Sequence, residues 1–335
     1  MLPKPSLSIL IALIPIYISL ALYLNLIPIP TLADSDTLSS LLKLANANFR
    51  RLSTQTTVTE TVISTPVFDT EMGIKIVPRP SQERGHADHG WLKTFHTFSF
   101  ASYQDQSHSQ FGALRVINED RVAPRQGFGT HSHREFEIFS YLVAGQLEHK
   151  DSMGNTEILK RGDLQLTSAG TGISHSEKTY GSKPVHFLQI WSLPTVSRLT
   201  PKYFTRHFSD ADKRDQWARI VAPVDAEGVL KDSREGAGPA PVQSALTLYA
   251  TLLSDQKSLK LAVAGSKGYI HVVQTSGYNT GVSKGSAIRI VTTPGKEVDL
   301  REGDGAYLYI DKPGPEVLVE NIGEKTAEVL FFDID

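Results

Sequence analysis

The chain has 335 residues, 40% of them hydrophobic, which is enough apolar surface for one large domain or two of medium size. With 34 Lys and Arg against 36 Asp and Glu, its formal charge of -2 supplies no global field toward phosphates or anionic lipid, so direct nucleic-acid binding is not expected. The absence of cysteine excludes disulfides, thiolate chemistry, zinc fingers and iron–sulfur clusters, and leaves nitrogen and oxygen to hold any metal.

Residues 5 to 33 carry no charge. A helix crosses a bilayer with roughly 20 apolar residues, so the segment reads as an uncleaved signal anchor and the chain as a single-pass membrane protein. Lys4 before it and Asp34 and Asp36 after it favour a cytoplasmic N-terminus. Thr31 and Ala33 would suit a cleaved signal instead, but the run exceeds the ~7–15 apolar residues of such a signal. Residues 34 to 71, rich in Ser, Thr and Asp, read as a polar linker. A third reading starts the folded protein at Met72, which would place it in the cytoplasm or nucleus.

From residue 72 onward, short apolar or alternating runs ("ALRVINED", "EFEIFSYLVAG", "QLEHKD", "DLQLTSAG", "VHFLQIWSLP") are separated by Gly, Pro, Asn and Asp. This grammar is that of antiparallel β-structure. "DSMGN" at 151 to 155 reads as a hairpin turn. "DSREGAGPAPVQS" at 232 to 244 reads as an open loop, after which strand patterns return in "SALTLYATLL", "KGYIHVVQ", "AIRIVTT", "GAYLYI" and "AEVLFFDID". "LKRGDLQL" (159 to 166) and "LREGDGAYL" (300 to 308) each put Gly-Asp in a turn before an apolar strand. The expected fold is therefore all-β, two copies of one antiparallel barrel behind an N-terminal hydrophobic helix. The first barrel spans 72–195, a connection 196–243 and the second barrel 244–335.

Ten of the eleven histidines lie between residues 86 and 207, with His271 the exception, so the first barrel is the place to seek a site. Side chains alternate along a strand, so His131 and His133 in "GTHSHREFE" face one way. "SAGTGISHSEKTY" repeats the spacing with His175 and Glu177. If the hairpins between them return the chain, three imidazoles and a carboxylate converge on a divalent transition metal with positions left open. The bland alternative, polar residues on wet strand faces, fits one such pair better than two pairs flanked by Gly129, Gly170 and Gly172. Glu137, four residues after His133, competes with Glu177, and alternation does not choose between them. His149 in "LEHKD" reads as a solvated strand residue, and His186 as a core residue or a neighbour of the site.

"RGHADHGWLKTFHTFSFASY" (84–103), "FGALRVINEDRV" (111–122), "HSHREFEIFSYLVAGQLEHKDSMGN" (131–155) and "SAGTGISHSE" (168–177) together resemble the pirin family of the cupin superfamily. The match is specific within residues 73 to 195, looser to the C-terminus, and leaves out the first seventy. The resemblance implies a bicupin fold of jelly-roll barrels and one metal in the first barrel. That metal would be iron first, with nickel, copper, manganese or zinc as alternatives, and His131, His133, His175 and Glu177 as its ligands. It thereby favours Glu177 over Glu137. Where the family often has Gly or Met, this chain has Glu135 and Phe136, and Glu135 is read as facing outward.

The chain looks most like the bacterial pirin-like quercetin 2,3-dioxygenases, which implies cleavage of a flavonol by O2 with release of carbon monoxide. Glu177 would then loosen from the metal and take the 3-hydroxyl proton, in a pocket that Phe98, Phe100 and Phe111 would suit, although aromatic residues on strands are usually core. The family also implies a second function, a metal-dependent redox sensor or transcriptional cofactor acting through a protein partner.

Overall fold

The computed structural model describes residues 73–292, 295–312 and 314–335. Strands are numbered along the chain. One barrel pairs a seven-stranded sheet with a four-stranded one. The larger sheet runs β12 (Lys202–His207), β9 (Asp163–Ser168), β6 (Glu137–Ala144), β11 (Val185–Ser192), β4 (Leu114–Val122), β3 (Leu92–His96), β2 (Gly85–Asp88). The smaller runs β5 (Gly127–His133), β10 (Ile173–Thr179), β7 (Gln146–Asp151), β8 (Thr156–Lys160).

The second barrel repeats the plan. Its seven-stranded sheet runs β1 (Ile74–Arg79), β20 (Gly305–Ile310), β17 (Lys267–Val272), β22 (Ala327–Ile334), β15 (Leu246–Leu253), β13 (Ala218–Pro223), β14 (Ala240–Val242). Its four-stranded sheet runs β16 (Ser258–Ala262), β21 (Glu316–Asn321), β18 (Ala287–Thr292), β19 (Lys296–Arg301). The barrels share strands across their sequence order: β1 pairs with β20, and β12, from the stretch read as a connection, closes the first barrel against β9.

The Gly-Asp echo has a physical basis. In both turns the glycine takes positive φ, Gly162 at 89° and Gly303 at 87°. The following aspartate accepts the backbone N–H three residues back, Lys160 to Asp163 and Arg301 to Asp304, both at 2.8 Å. A side chain at either glycine would be strained by that φ and would press on Phe208 or Ser81.

Three apolar clusters divide the interior. The largest joins the two seven-stranded sheets, with Phe98, Phe111, Phe139 and Leu188 meeting Tyr269, Tyr307, Leu330 and Phe332. A second, of aliphatic residues such as Ile270, Ile288, Leu308, Val319 and Val329, fills the second barrel. The third is small, Leu92, Val122, Leu142, Leu147, Leu159, Val185 and Phe187, and leaves part of the first barrel's interior to polar side chains.

The hydrophobic helix expected over residues 5–33 and the linker to 71 lie outside the described residues. The expectation of a single-pass membrane protein is corrected: no helix among the described residues is long and apolar enough to cross a membrane. The described chain goes into paired strands of three to nine residues, and its α-helical segment, α1 (Asp210–Lys213), is four residues long.

Candidate metal centre

Register puts the histidines together. On β10, His175 lies opposite His131 of β5 and Ile173 opposite His133; on its other side, Glu177 lies opposite His149 of β7 and His175 opposite Asp151. Cross-strand partners share a face and residues two apart share it along each strand, so all six odd-numbered polar residues project from one face. A bulge interrupts the β5–β10 pairing: from His131 to Phe128 β5 uses three residues where β10 uses two, from His175 to Glu177. This turns Phe128 inward beneath the site, where it packs on the small apolar cluster.

The rings of His131, His133 and His175 meet edge to face, their centres 4.6 to 4.8 Å apart. His131 Nδ1 lies 2.7 Å from the Gly129 carbonyl, which can only accept, so the proton sits on Nδ1 and the Nε2 lone pair is free. That Nε2 lies 3.1 Å from His175 Nε2. Burial pushes the His175 imidazole down to about 3, helped by the neighbouring His131 and His149. Burial, with His175 and His131, likewise brings His133 to about 4. Both rings are therefore neutral at pH 7, the state in which imidazole binds a metal.

Glu177 is 1% exposed, and both its oxygens are engaged. Oε1 accepts from Ser140 Oγ at 3.0 Å and Oε2 from Gln189 Nε2 at 2.8 Å. Donor atoms of His131, His133 and His175 lie within 4.8 Å of one another, and so do those of His149, His175 and Glu177. The donors thus form two triads that share His175, His131 and His133 in one and Glu177 with His149 in the other. Neutral imidazoles and a carboxylate in this arrangement fit a divalent transition ion. The orphaned Nδ1 of buried His175 also marks the site as short of a polar partner.

The competing carboxylate is elsewhere. β5 ends at His133 and Glu137 opens β6 in the opposite sheet, so parity does not carry across the break. The Glu137 carboxylate accepts from Ser168 Oγ at 2.6 Å and from the Gln243 backbone N–H at 3.1 Å. Glu135, at φ 60° between the strands, accepts the Arg198 N–H. His186 bonds Glu119 at 3.0 Å between the barrels.

One expectation fails on burial. His149 is not solvated: it is 0% exposed, with neither ring nitrogen hydrogen-bonded. The signal was present in "QLEHKD", where Leu147, fully buried, shares its parity. Phe98 and Phe111 belong to the core between the barrels. The aromatic wall is built instead by Trp191, whose ring centre lies 4.9 Å from His133, 5.1 Å from Phe136 and 5.5 Å from Phe100. Trp191 was missed because "VHFLQIWS" reads as a buried apolar strand throughout. A separate open cleft of about 410 Å³ includes Ser132 and Ser174, whose paired hydroxyls project from the face of the sheet opposite the histidines. Deeper in, burial pushes the Asp120 carboxyl up to about 7, reinforced by the charges of Glu177 and Glu119.

Residues 78–192 match the family described as Pirin. A quercetin 2,3-dioxygenase of Escherichia coli (strain K12) is 38% identical over 238 residues, which cover 70% of this chain and 97% of that protein. A pirin-like protein of Caulobacter vibrioides is 34% identical over 215 residues, 63% of this chain and 89% of that one. The crystal structure of the bacterial pirin YhhW from E. coli in complex with nickel(II) is similar with a TM-score of 0.63 at 33% identity, covering 78% of this chain and 99% of that one.

Proposed function

The chain belongs to the pirin family of cupin proteins, and from that premise we propose that it is a metal-dependent dioxygenase that opens a flavonol such as quercetin with O2 and releases carbon monoxide. The observation that carries the reading is a buried carboxylate, Glu177, held at both oxygens beside three clustered imidazoles. The name of the E. coli relative supports the substrate class.

His131, His133, His175 and Glu177 would hold the ion. When bound, a divalent transition metal supplies a Lewis acid for a phenolic oxygen and a redox partner for O2. Iron is the first choice from the resemblance, and nickel is the ion bound by the E. coli pirin.

The protein's own contribution is placement and proton transfer. Trp191, with Phe136 and Phe100 inclined against it, offers an apolar wall beside His133 for a planar aromatic substrate. Glu177 takes the proton of the 3-hydroxyl onto a carboxylate oxygen, leaving the flavonolate that reacts with O2. Ser140 and Gln189 hold the carboxylate in position for that transfer. In the overall reaction both atoms of O2 enter the organic product, and the ring carbon bearing the 3-oxygen leaves as carbon monoxide.

The test loads the full chain with iron, nickel, copper and manganese in turn and follows O2 uptake and carbon monoxide release with quercetin. The expected result is turnover with at least one metal, abolished in Glu177→Gln while the metal stays bound. Tight metal binding without turnover for any of the four would overturn the dioxygenase reading and favour the sensor.

A further inference from the structure

The small sheet carries more donors than the outer cluster uses. β7 brings His149 opposite Glu177, as β5 brings His131 opposite His175, so β10 is flanked by imidazoles on both sides. The His149 and His175 rings stand 5.2 Å apart. His149, His175 and Glu177 are each 0–1% exposed, and a donor atom from each lies within 4.8 Å of the others.

A fully buried imidazole with both nitrogens unpartnered is costly, about 1–3 kcal/mol for an unmade hydrogen bond, unless something else takes its lone pair. The nearest carboxylate oxygen, Asp151 Oδ2, is 3.5 Å from His149 Nε2 and is itself occupied by the Asn155 side chain at 2.8 Å. Packing does not explain the residue either: Tyr203 lies over its ring, centres 4.9 Å apart, and an aromatic or aliphatic residue would fill that space without orphaned nitrogens. The second barrel shows the alternative, an interior filled by aliphatic side chains.

The geometry points to an inner cation position bounded by His149, His175 and Glu177, which a divalent transition-metal ion occupies in exchange with the outer position at His131, His133, His175 and Glu177. This rests on the reading of the outer cluster as a metal centre. His175 is common to both positions, so one chain holds one ion across the two. Moving inward trades the half-exposed His131 and His133 for the fully buried His149, with His175 and Glu177 kept as ligands.

The test titrates the metal-free full chain with nickel(II) by calorimetry, alongside the double variant His131→Ala, His133→Ala and the triple variant that adds His149→Gln. The wild type is expected to bind one ion. The double variant should still bind one, weaker by more than the roughly 10–100-fold that follows loss of a single supporting group, because two imidazole ligands are removed. His149→Gln should weaken it by at least a further tenfold. Nickel-edge X-ray absorption on the double variant should count two imidazoles, a readout that does not depend on the His149 variant folding. A folded double variant that binds no nickel, or one whose affinity is indifferent to His149→Gln, would overturn the inner position while leaving the outer one intact. A wild type that binds no ion would overturn both.

Discussion

Gln189 donates to Glu177 and accepts from Ser140, and its amide fixes one of the two oxygens on which the proposed proton transfer depends. Gln189→Leu removes that donor and leaves the carboxylate free to turn. We expect turnover to fall about 10–100-fold with nickel stoichiometry unchanged, measured by O2 uptake and calorimetry. The histidines make a second prediction at this scale. The folded values of His133 and His175, about 4 and about 3, lie below the ordinary 6.5, so between those limits the unfolded chain binds more protons than the folded one. Stability of the metal-free protein is therefore full above pH 6.5 and is lost as pH falls toward 4 and 3. Urea midpoints at pH 7.5 and 4.5 should differ in that sense, and bound nickel should hold the rings neutral and move the loss to lower pH. Because the raised Asp120 carboxyl gains stability over the same range, the histidine contribution is checked on the imidazole resonances themselves, and a His133 or His175 that titrates at the ordinary 6.5 in the metal-free folded chain would contradict the burial argument.

At the scale of strands, the centre depends on how closely β5 approaches β10. A Cβ at Gly127 would lie 2.2 Å from the Glu177 carbonyl oxygen and 2.5 Å from Lys178 Cα, so only glycine lets the strands meet just below the ligands. Gly127→Ala should push β5 outward and separate His131 from His175. We expect at least a tenfold loss of nickel affinity with a lowered melting temperature, read by calorimetry and thermal unfolding. The same scale shows what could be read before folding. The i, i+2 pairs His131/His133 and His175/Glu177 were legible because each lies within one strand, where alternation is reliable. Glu137 stayed ambiguous because the sequence does not mark the break where β5 ends and the chain crosses to the other sheet. His149 was misread because a histidine among Glu148 and Lys150 looks wet, although Leu147 two residues earlier fixed its face.

The whole molecule is held by a polar contact that composition did not announce. Glu119 of β4, 0% exposed, accepts from His186 at 3.0 Å, from His271 of the second barrel at 3.1 Å, and from the Gln274 backbone at 2.7 Å; Arg84 lies 3.4 Å away. Burial alone would raise the Glu119 carboxyl, but the hydrogen bonds from His186 and His271 hold it well below the usual range. Glu119→Ala strands a buried guanidinium and should cost about 3–5 kcal/mol in chemical denaturation. The lone histidine of the second barrel thus clamps the two barrels together. The repeat was legible from its Gly-Asp turns, whereas the exchange of β1 and β12 between sheets was not, since edge pairing depends on partners more than a hundred residues distant for β1.

The central claim is that His131, His133, His175 and Glu177 form a metal centre. It is tested most directly by nickel-edge X-ray absorption on the loaded full chain, beside a metal analysis of His175→Ala. The account predicts one ion per chain ligated by imidazole nitrogen and carboxylate oxygen, and none retained in the variant, because His175 belongs to every donor group described. An ion held without imidazole ligands, or retained in full by His175→Ala, would contradict it.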